Sequence, residues 1–383
     1  MVEQSVQGQI RGTLLRGGAS RGLYVTPERL PPAGDRRDEV LIDLFGTPDP
    51  LQIDGIGGGN SHTSKVMVVD EADRSDADIE YTFGQVGIEN ATVDWSGNCG
   101  NLTSAIGPFA LLSGLVDAEE PETELVLYNT NTDAYLDQVV PVTSREPAVH
   151  GDYRVDGIPG TGARIDSYFR DPAGSVTGQL LPTGARRETL TVADEEYPVS
   201  IVDVANPNVF LRARDLGLDG TELPDELDDP DLLDRLELIR GAACERLGLV
   251  DCRRDAVDER PAIPQIALVS DPQSFGTVSG GRVDDDDLDI TSRIVTTGTP
   301  HHSYATTGAM CLAAATRLDG TIPAEFVRET DGPDVTIGHP KGTITIGVET
   351  ATRAGDTTVE RVRVGRTARL LADGRLFYRR IPE

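Results

Sequence analysis

The apolar and polar positions along this chain read as many short strands interrupted by a few longer helical stretches. Residues 9–25 read as strand, glycine-rich turn and strand; Gly17, Gly18 and Gly22 there allow positive φ or close backbone approach to a ligand. A plain hairpin is the competing reading. Residues 39–45 are a short apolar segment, helical or extended. The polar loop 57–65 leads into a strand at 66–69, and 79–86 alternates as a second strand. Residues 102–112 are apolar enough for a buried helix that starts directly after Asn98-Cys99-Gly100-Asn101 and ends near Ser113-Gly114. Pro108 inside it predicts a kink or a break. Strands are predicted at 125–128, 136–142 and 151–155, followed by another loop at 157–165.

A polar, arginine-containing turn at 182–188 precedes a strand over 197–204. Asn206-Pro207-Asn208 reads as a turn before the apolar Val209-Phe210-Leu211. Leu232, Leu236, Ile239 and Ala243 recur at helical steps within 232–247. A buried strand follows at 266–269. Further on, a polar loop from His301 opens an alanine-rich helix. Its order of polar loop, small-residue turn and apolar helix echoes the earlier stretch around Cys99, which suggests two similar halves. The chain closes on strand-like runs at 342–348, 357–364 and 376–378. The length suits two domains, expected at 1–190 and 191–383, with the last strand returning to the first.

Charge changes this picture. There are 64 acidic against 35 basic residues, a net charge of −29. That excludes generic nucleic-acid or anionic-membrane binding, and an acidic substrate would need a local cationic pocket. Only Lys65 and Lys341 are lysines; the other basic residues are arginines. An acidic excess with lysine nearly eliminated reads as adaptation to a high-salt cytoplasm, against the alternative of an ordinary acidic protein. The first ten residues are polar and lack the apolar core of a signal peptide. No apolar run approaches the roughly 18 residues of a membrane helix. The four cysteines, Cys99, Cys244, Cys252 and Cys311, show neither a disulfide framework nor zinc spacing. A cytoplasmic protein in a reducing compartment is expected. The acidic run 284–287 lacks calcium-loop spacing and reads as solvated surface.

Two stretches carry candidate chemistry. Gly57-Gly58-Gly59-Asn60-Ser61-His62-Thr63-Ser64-Lys65 ends on one of the two lysines. Lysine can give up its proton when desolvated and arginine cannot, so Lys65 is a candidate base; a surface lysine is the competing reading. The loop is not a phosphate-binding P-loop, because Ser64 stands where glycine is needed and Val66 where serine or threonine is needed. Cys99, at the start of an apolar helix, is a candidate thiolate or proton donor, or else a small buried hydrophobe. Cys311 lies inside the alanine run and reads as core. Arg16, Arg21 and Arg293 are candidate carboxylate clamps. His302 is either a substrate contact or a structural loop histidine. No dinucleotide-binding turn and no serine nucleophile elbow appears.

Taken together, Leu15-Arg16-Gly17-Gly18-Ala19-Ser20-Arg21-Gly22, the 57–65 loop, Asn98-Cys99-Gly100-Asn101 with Gly107-Pro108-Phe109, Asn206-Pro207 and residues 302–309 resemble the PrpF family. That family contains 2-methylaconitate cis-trans isomerase, methylitaconate Δ-isomerase and 4-oxalomesaconate tautomerase. The resemblance spans residues 10 to about 345, with the motifs in family order. It implies an α+β, diaminopimelate-epimerase-like fold: two similar domains, each a mostly antiparallel sheet wrapped around a central helix, with the site in the cleft. It implies proton transfer by Lys65 and Cys99. Substrate contacts are implied at Arg16, Ser20, Gly59, Asn60, Ser61, Ser64, Asn98, Gly100, Asn101, Arg293, His302, Thr307 and Gly308. In the related epimerases a second cysteine faces the first; the position here falls near Ala305, which carries no thiol and argues against amino-acid epimerisation. Ala19, Arg21 and Ser303 depart from the family's usual threonine, lysine and arginine at positions that bear on the carboxylate contacts.

The function read from this is an isomerase of an unsaturated di- or tricarboxylic acid, first of all 2-methylaconitate in propionate breakdown, with no metal or cofactor required. Methylitaconate and 4-oxalomesaconate are the alternative substrates. An amino-acid epimerase and a non-catalytic binder of anionic metabolites are the rival functions. The expected partner is the small polycarboxylate, with a homodimer left open. The acidic composition carries its own test: thermal or urea stability should rise as KCl enters the molar range, because salt screens self-repulsion. Stability that is flat or falls with KCl would remove the salt-adaptation reading.

Overall fold

The computed structural model describes residues 7–95, 97–329, 332–353 and 355–379. Most of the polar N-terminal stretch, residues 1–6, lies outside them. The chain divides into two compact units, residues 1–168 with 365–383, and 169–364.

In the first unit, β1 (Gly8–Gly17) and β2 (Ser20–Val25) form the expected hairpin, with Gly17 opposite Ser20 and Gly18 at φ +49° in the turn. The 39–45 segment is the end of helix α1 (Asp35–Phe45), which buries Val40, Leu41, Leu44 and Phe45 against Leu23, Val25, Val66 and Val68. Strand β3 (Lys65–Glu71) runs parallel to β2 and antiparallel to β4 (Ile79–Val86). A two-residue β5 (Val93–Asp94) pairs with the end of β4. Farther along, β6 (Glu122–Asn129) and β7 (Ala134–Thr143) form an antiparallel pair. The C-terminal strand Ala368–Tyr378 lies antiparallel along β1, which brings the chain's end into this unit.

The apolar run after Cys99 is buried as expected and broken. Helix α2 (Gly100–Thr103) stops at Ser104 and α3 (Ile106–Ser113) begins after Ala105. A proline ring clashes with the carbonyl four residues back, which for Pro108 is that of Ser104, and the break falls there. The break costs a Thr103 carbonyl and a Gly107 N–H their mutual bond. The buried Gln138 side chain on β7 replaces it: Oε1 accepts from Gly107 N–H at 2.7 Å and Nε2 donates to the Thr103 carbonyl at 3.1 Å. A Cβ on Gly107 would stand 2.5 Å from that Oε1, so only glycine fits. Unmade, each of these buried groups would cost about 1–3 kcal/mol.

The second unit repeats the plan around helix Thr306–Thr316, whose residues from Gly308 onward are all buried. Val202, Val204, Phe210, Ala267 and Ile294 pack on it, while Val199, Ile201, Val209 and Leu268 point the other way onto helix Pro230–Arg246. That outer helix is the one predicted at 232–247. Asp229 caps it by accepting from Leu232 N–H at 2.9 Å, ahead of proline at the first helical position. Strands Glu195–Val204, Asn206–Arg212, Gln265–Ser270, Ile290–Thr296, Asp334–His339 and Gly342–Arg353 supply the sheet.

Two expectations are corrected. Residues 151–155 form no strand; a lone bridge joins Tyr153 to Gly162 within a looped segment. Asn206-Pro207-Asn208 is the start of a strand, and the chain reverses one residue earlier at Ala205, φ +60°. Proline is tolerated there because the carbonyl of its partner across the ladder, Asp203, accepts from Gly174 N–H at 2.8 Å and needs no donor from residue 207. Among the described residues, no helix is long and apolar enough to cross a membrane. The same residues hold no group of three His, Cys, Asp or Glu fit for a metal ion.

Candidate active site

The first unit packs three of the marked segments against each other. A Cβ on Gly17 would stand 2.7 Å from the Asn101 carbonyl, and one on Gly18 would stand 2.3 Å from Asn101 Oδ1. One on Gly22 would stand 2.6 Å from Leu102 Cδ1 and 3.0 Å from the Lys65 carbonyl. The hairpin therefore touches both the helix after Cys99 and the strand that starts at Lys65, and glycine is what lets it approach. Ala19 N–H donates to Asn101 Oδ1 at 3.2 Å, and Arg21 N–H to the His62 carbonyl at 2.9 Å.

Lys65 is the first residue of β3 and is 9 % exposed. Its Nζ donates to Gln85 Oε1 at 2.5 Å and lies 5.0 Å from the centre of the Phe83 ring. Phe83 also reaches toward the cysteine segment, since a Cβ on Gly97 would be 3.7 Å from its ring. Asn131 fastens that segment to β4. It accepts from Phe83 N–H at 2.7 Å and donates to the Phe83 and Trp95 carbonyls at 2.9 and 2.7 Å.

Cys99 is nearly buried and stands just before α2 with extended backbone; its carbonyl accepts from Thr103 N–H and Oγ1, both at 3.0 Å. Its own N–H goes to Asn98 Oδ1 at 2.8 Å. Tyr24 donates to the Leu102 carbonyl at 2.6 Å, and Tyr81 lies 3.4 Å from Thr103 Oγ1. Burial, with the nearby Cys99 thiol adding, pushes both phenols well above their usual range, so they stay neutral beneath α2.

The 57–65 loop is held from below by Gln52. Its Oε1 accepts from Gly59 N–H at 3.0 Å and Ser64 Oγ at 2.5 Å, and its Nε2 donates to Thr47 Oγ1 at 3.1 Å. Ser64 is fully buried by this contact and serves the loop rather than a ligand. Asn60 and Ser61 are exposed; Asn60 Oδ1 accepts from His62 N–H at 2.9 Å. Ser20 is buried with its Oγ unpartnered.

The arginine clamps need correction. Arg293 is fully buried, and its nitrogens donate to the backbone carbonyls of Glu222, Ser292 and Thr221 at 2.6, 2.9 and 2.8 Å. Burial brings its pKa down to about 10, with Glu222 opposing. Such a guanidinium braces the second unit and has no fork left for a carboxylate. Arg16 is half-buried and donates one nitrogen to the carbonyls of Gly18 and Thr367 at 3.0 and 2.8 Å, closing the hairpin turn. Burial, then Arg369, lowers its pKa. A cation not singled out by the sequence, Arg366, takes the place beside the turn. It is buried, with Nε 3.4 Å from Asn101 Oδ1, and burial lowers its pKa while Tyr153 opposes.

In the second unit, Thr307 Oγ1 accepts from Asn206 Nδ2 at 3.2 Å. A Cβ on Gly308 would be 2.8 Å from Gln265 Oε1 and 3.5 Å from Asn208 Oδ1. Both oxygens are buried without a partner. Asn208, which reads as part of a turn, and Gln265, one residue ahead of a predicted strand, are not singled out by the sequence, and both lie on strands. His302 is exposed. Ala305 directly precedes the helix, and Cys311 is wholly buried, its Sγ 3.2 Å from the Val202 carbonyl and its thiol pushed well up by burial. Cys311 is core.

The family profile described as "PrpF protein" matches residues 7–379. The chain belongs to the PrpF family. It is 39 % identical to a 3-methylitaconate isomerase of Eubacterium barkeri, over 97 % of this chain and 98 % of the relative. It is 34 % identical to a 2-methyl-aconitate isomerase of Shewanella oneidensis and 37 % identical to a 4-oxalomesaconate tautomerase of Pseudomonas putida, each over 96 % of both chains. A crystal structure of a methylitaconate-delta-isomerase superposes with TM-score 0.89 at 38 % identity, covering 97 % of this chain and 96 % of that one. A hydroxyproline epimerase from Agrobacterium vitis, TM-score 0.50 at 12 % identity over 99 % of this chain and 95 % of that one, shares the fold alone. The PrpF chain is an isomerase of epimerase-like fold.

Two of the three buried thiols, those of Cys99 and Cys311, offer a contrast. Cys99→Ser should retain the wild-type melting temperature and lose most turnover, whereas Cys311→Ser should lower the melting temperature more than the turnover. Small, equal effects on turnover from both would remove Cys99 from the site.

Proposed function

We propose that the PrpF chain moves a proton, and with it a double bond, within an unsaturated di- or tricarboxylic acid, using Lys65 as the base and no cofactor. The observation that carries this is Lys65 itself: nearly buried, and hydrogen-bonded through Nζ to a neutral amide. A C–H beside a double bond and a carboxylate gives up its proton to the neutral amine. The electron pair left behind spreads over the allylic carbons and the carboxylate. Lysine becomes an ammonium, and a proton returned to the other end of the allylic system completes the shift. Rotation before that return gives cis-trans isomerisation. Cys99 is the candidate for the second proton-transfer group. Arg21 and Arg366 supply positive charge near the hairpin turn, which an acidic protein needs locally to hold a polycarboxylate.

All three named relatives act on substrates that fit this chemistry. The sequence reading puts 2-methylaconitate first; the higher identity to the 3-methylitaconate isomerase favours methylitaconate. One assay series with 2-methylaconitate, methylitaconate and 4-oxalomesaconate decides among them.

General bases are worth about 10²–10⁴-fold in rate. Lys65→Arg keeps the charge and cannot accept a proton. It should therefore bind substrate by calorimetry and yet take up deuterium from D₂O into substrate about as poorly as Lys65→Ala, by NMR. Exchange retained in Lys65→Arg would rule out the base role.

A further inference from the structure

We propose that Gln85 is a positioning residue that orients the Lys65 amine and couples it to the 57–65 loop, as a neutral acceptor that leaves the amine free to take up a proton. The inference rests on Lys65 being the base. Strand register sets the geometry: Lys65 on β3 lies opposite Gln85 on β4, which lies opposite Asp94 on β5. Directly opposed residues share a face, so the three form one cross-strand row with the amide in the middle.

The two ends of that amide have different tasks. Nε2 donates to the Ser64 carbonyl at 2.8 Å and lies 3.4 Å from the carbonyls of Ser61 and Val86. Carbonyls only accept, so the NH₂ end is fixed on the loop and Oε1 is left to meet Lys65 Nζ at 2.5 Å. One side chain thus fixes both the last turn of the loop and the direction of the amine.

Chemistry favours glutamine here. An amide oxygen accepts a hydrogen bond from an ammonium or from a neutral amine. A carboxylate of the same length would pair with the ammonium and hold the proton on it. It would also set negative charge against the carbonyls of Ser61 and Ser64. A hydrocarbon side chain would leave the amine without an acceptor and the loop without its donor. The other charged or titratable groups on the elements packed around Lys65 are Arg21 and Tyr24 on β2, His62 in the loop, Asp70 and Glu71 on β3, Glu80 and Tyr81 on β4, Asp94 on β5 and Cys99 ahead of α2. Gln85 separates Asp94 from the lysine along the row.

The test compares wild type, Gln85→Glu and Gln85→Met on whichever of methylitaconate or 2-methylaconitate turns over, with kcat and KM followed against pH. For Gln85→Glu, the acidic limb of kcat/KM should move upward by about one pH unit or more. Its turnover at pH 7 should fall roughly tenfold and recover toward wild type at high pH, with KM changed by less than about threefold. Gln85→Met should lower kcat at every pH without moving the limb. A Gln85→Glu profile that coincides with wild type overturns the proposal. Should Gln85→Glu not fold, wild-type kcat in folded Gln85→Met overturns it equally. Loss of exchange in Lys65→Arg together with an unmoved Gln85→Glu profile sinks the Gln85 inference alone; exchange retained in Lys65→Arg sinks the base reading beneath it.

Discussion

The close approach of the β1–β2 hairpin to helix α2 and to strand β3 is the constraint on which the first unit depends. At Gly17, Gly18 and Gly22 there is no room for a Cβ, and the atoms in the way include backbone oxygens of Asn101 and Lys65 that have little freedom to move. Side chains there would push the hairpin off the cysteine-bearing helix and the lysine-bearing strand alike. Small-to-large changes in packed sites typically cost about 1–3 kcal/mol. The cost in geometry would be larger than that in stability, because groups that act on one substrate must be held to a fraction of an ångström. The arginines nearby follow the same logic. Arg16 closes the turn from outside and Arg366 fills the space beside it, so the hairpin is charged as well as close.

Much of this was legible in the sequence, for local reasons. Alternation marked β4 to the residue, and helical steps at Leu232, Leu236 and Ile239 marked the outer helix of the second unit. The glycine loops and the Lys65 and Cys99 stretches stood out by composition. What escaped depended on partners distant in sequence. Gln85 looks like any strand glutamine until register sets it opposite Lys65. Gln52 looks like a loop residue until its buried amide is seen holding Gly59 and Ser64. Gln138 replaces a helix bond that only Pro108's position, thirty residues earlier, makes necessary. Arg293 misled in the opposite direction: a lone arginine on an apolar strand resembles a clamp, yet backbone carbonyls of its own unit consume its donors. Asn206-Pro207-Asn208 has turn chemistry, and the sheet overrides it because the ladder loses no bond there.

Side-chain amides recur where these elements meet, Gln52 and Gln138 among them fully buried. Gln52, Gln85, Asn131 and Gln138 each bridge segments with both ends of the side chain engaged. In a chain with a net charge of −29, neutral staples hold polar loops together without adding another carboxylate. The second unit uses amides differently. Asn208 and Gln265 keep oxygens buried and unpartnered beside Gly308, a state that costs free energy unless a donor arrives.

The central claim is that the Lys65 amine takes the substrate's proton, and the scarcity of lysine makes it open to direct test. An amine-acylating reagent has only Lys65 and Lys341 to modify as side chains, and peptide mass spectrometry reads each separately. Loss of turnover should follow acylation of Lys65 in proportion, and the unsaturated polycarboxylate proposed as its substrate should protect Lys65 while leaving Lys341 to react. Full turnover after complete acylation of Lys65, or inactivation that tracks Lys341, would contradict the account.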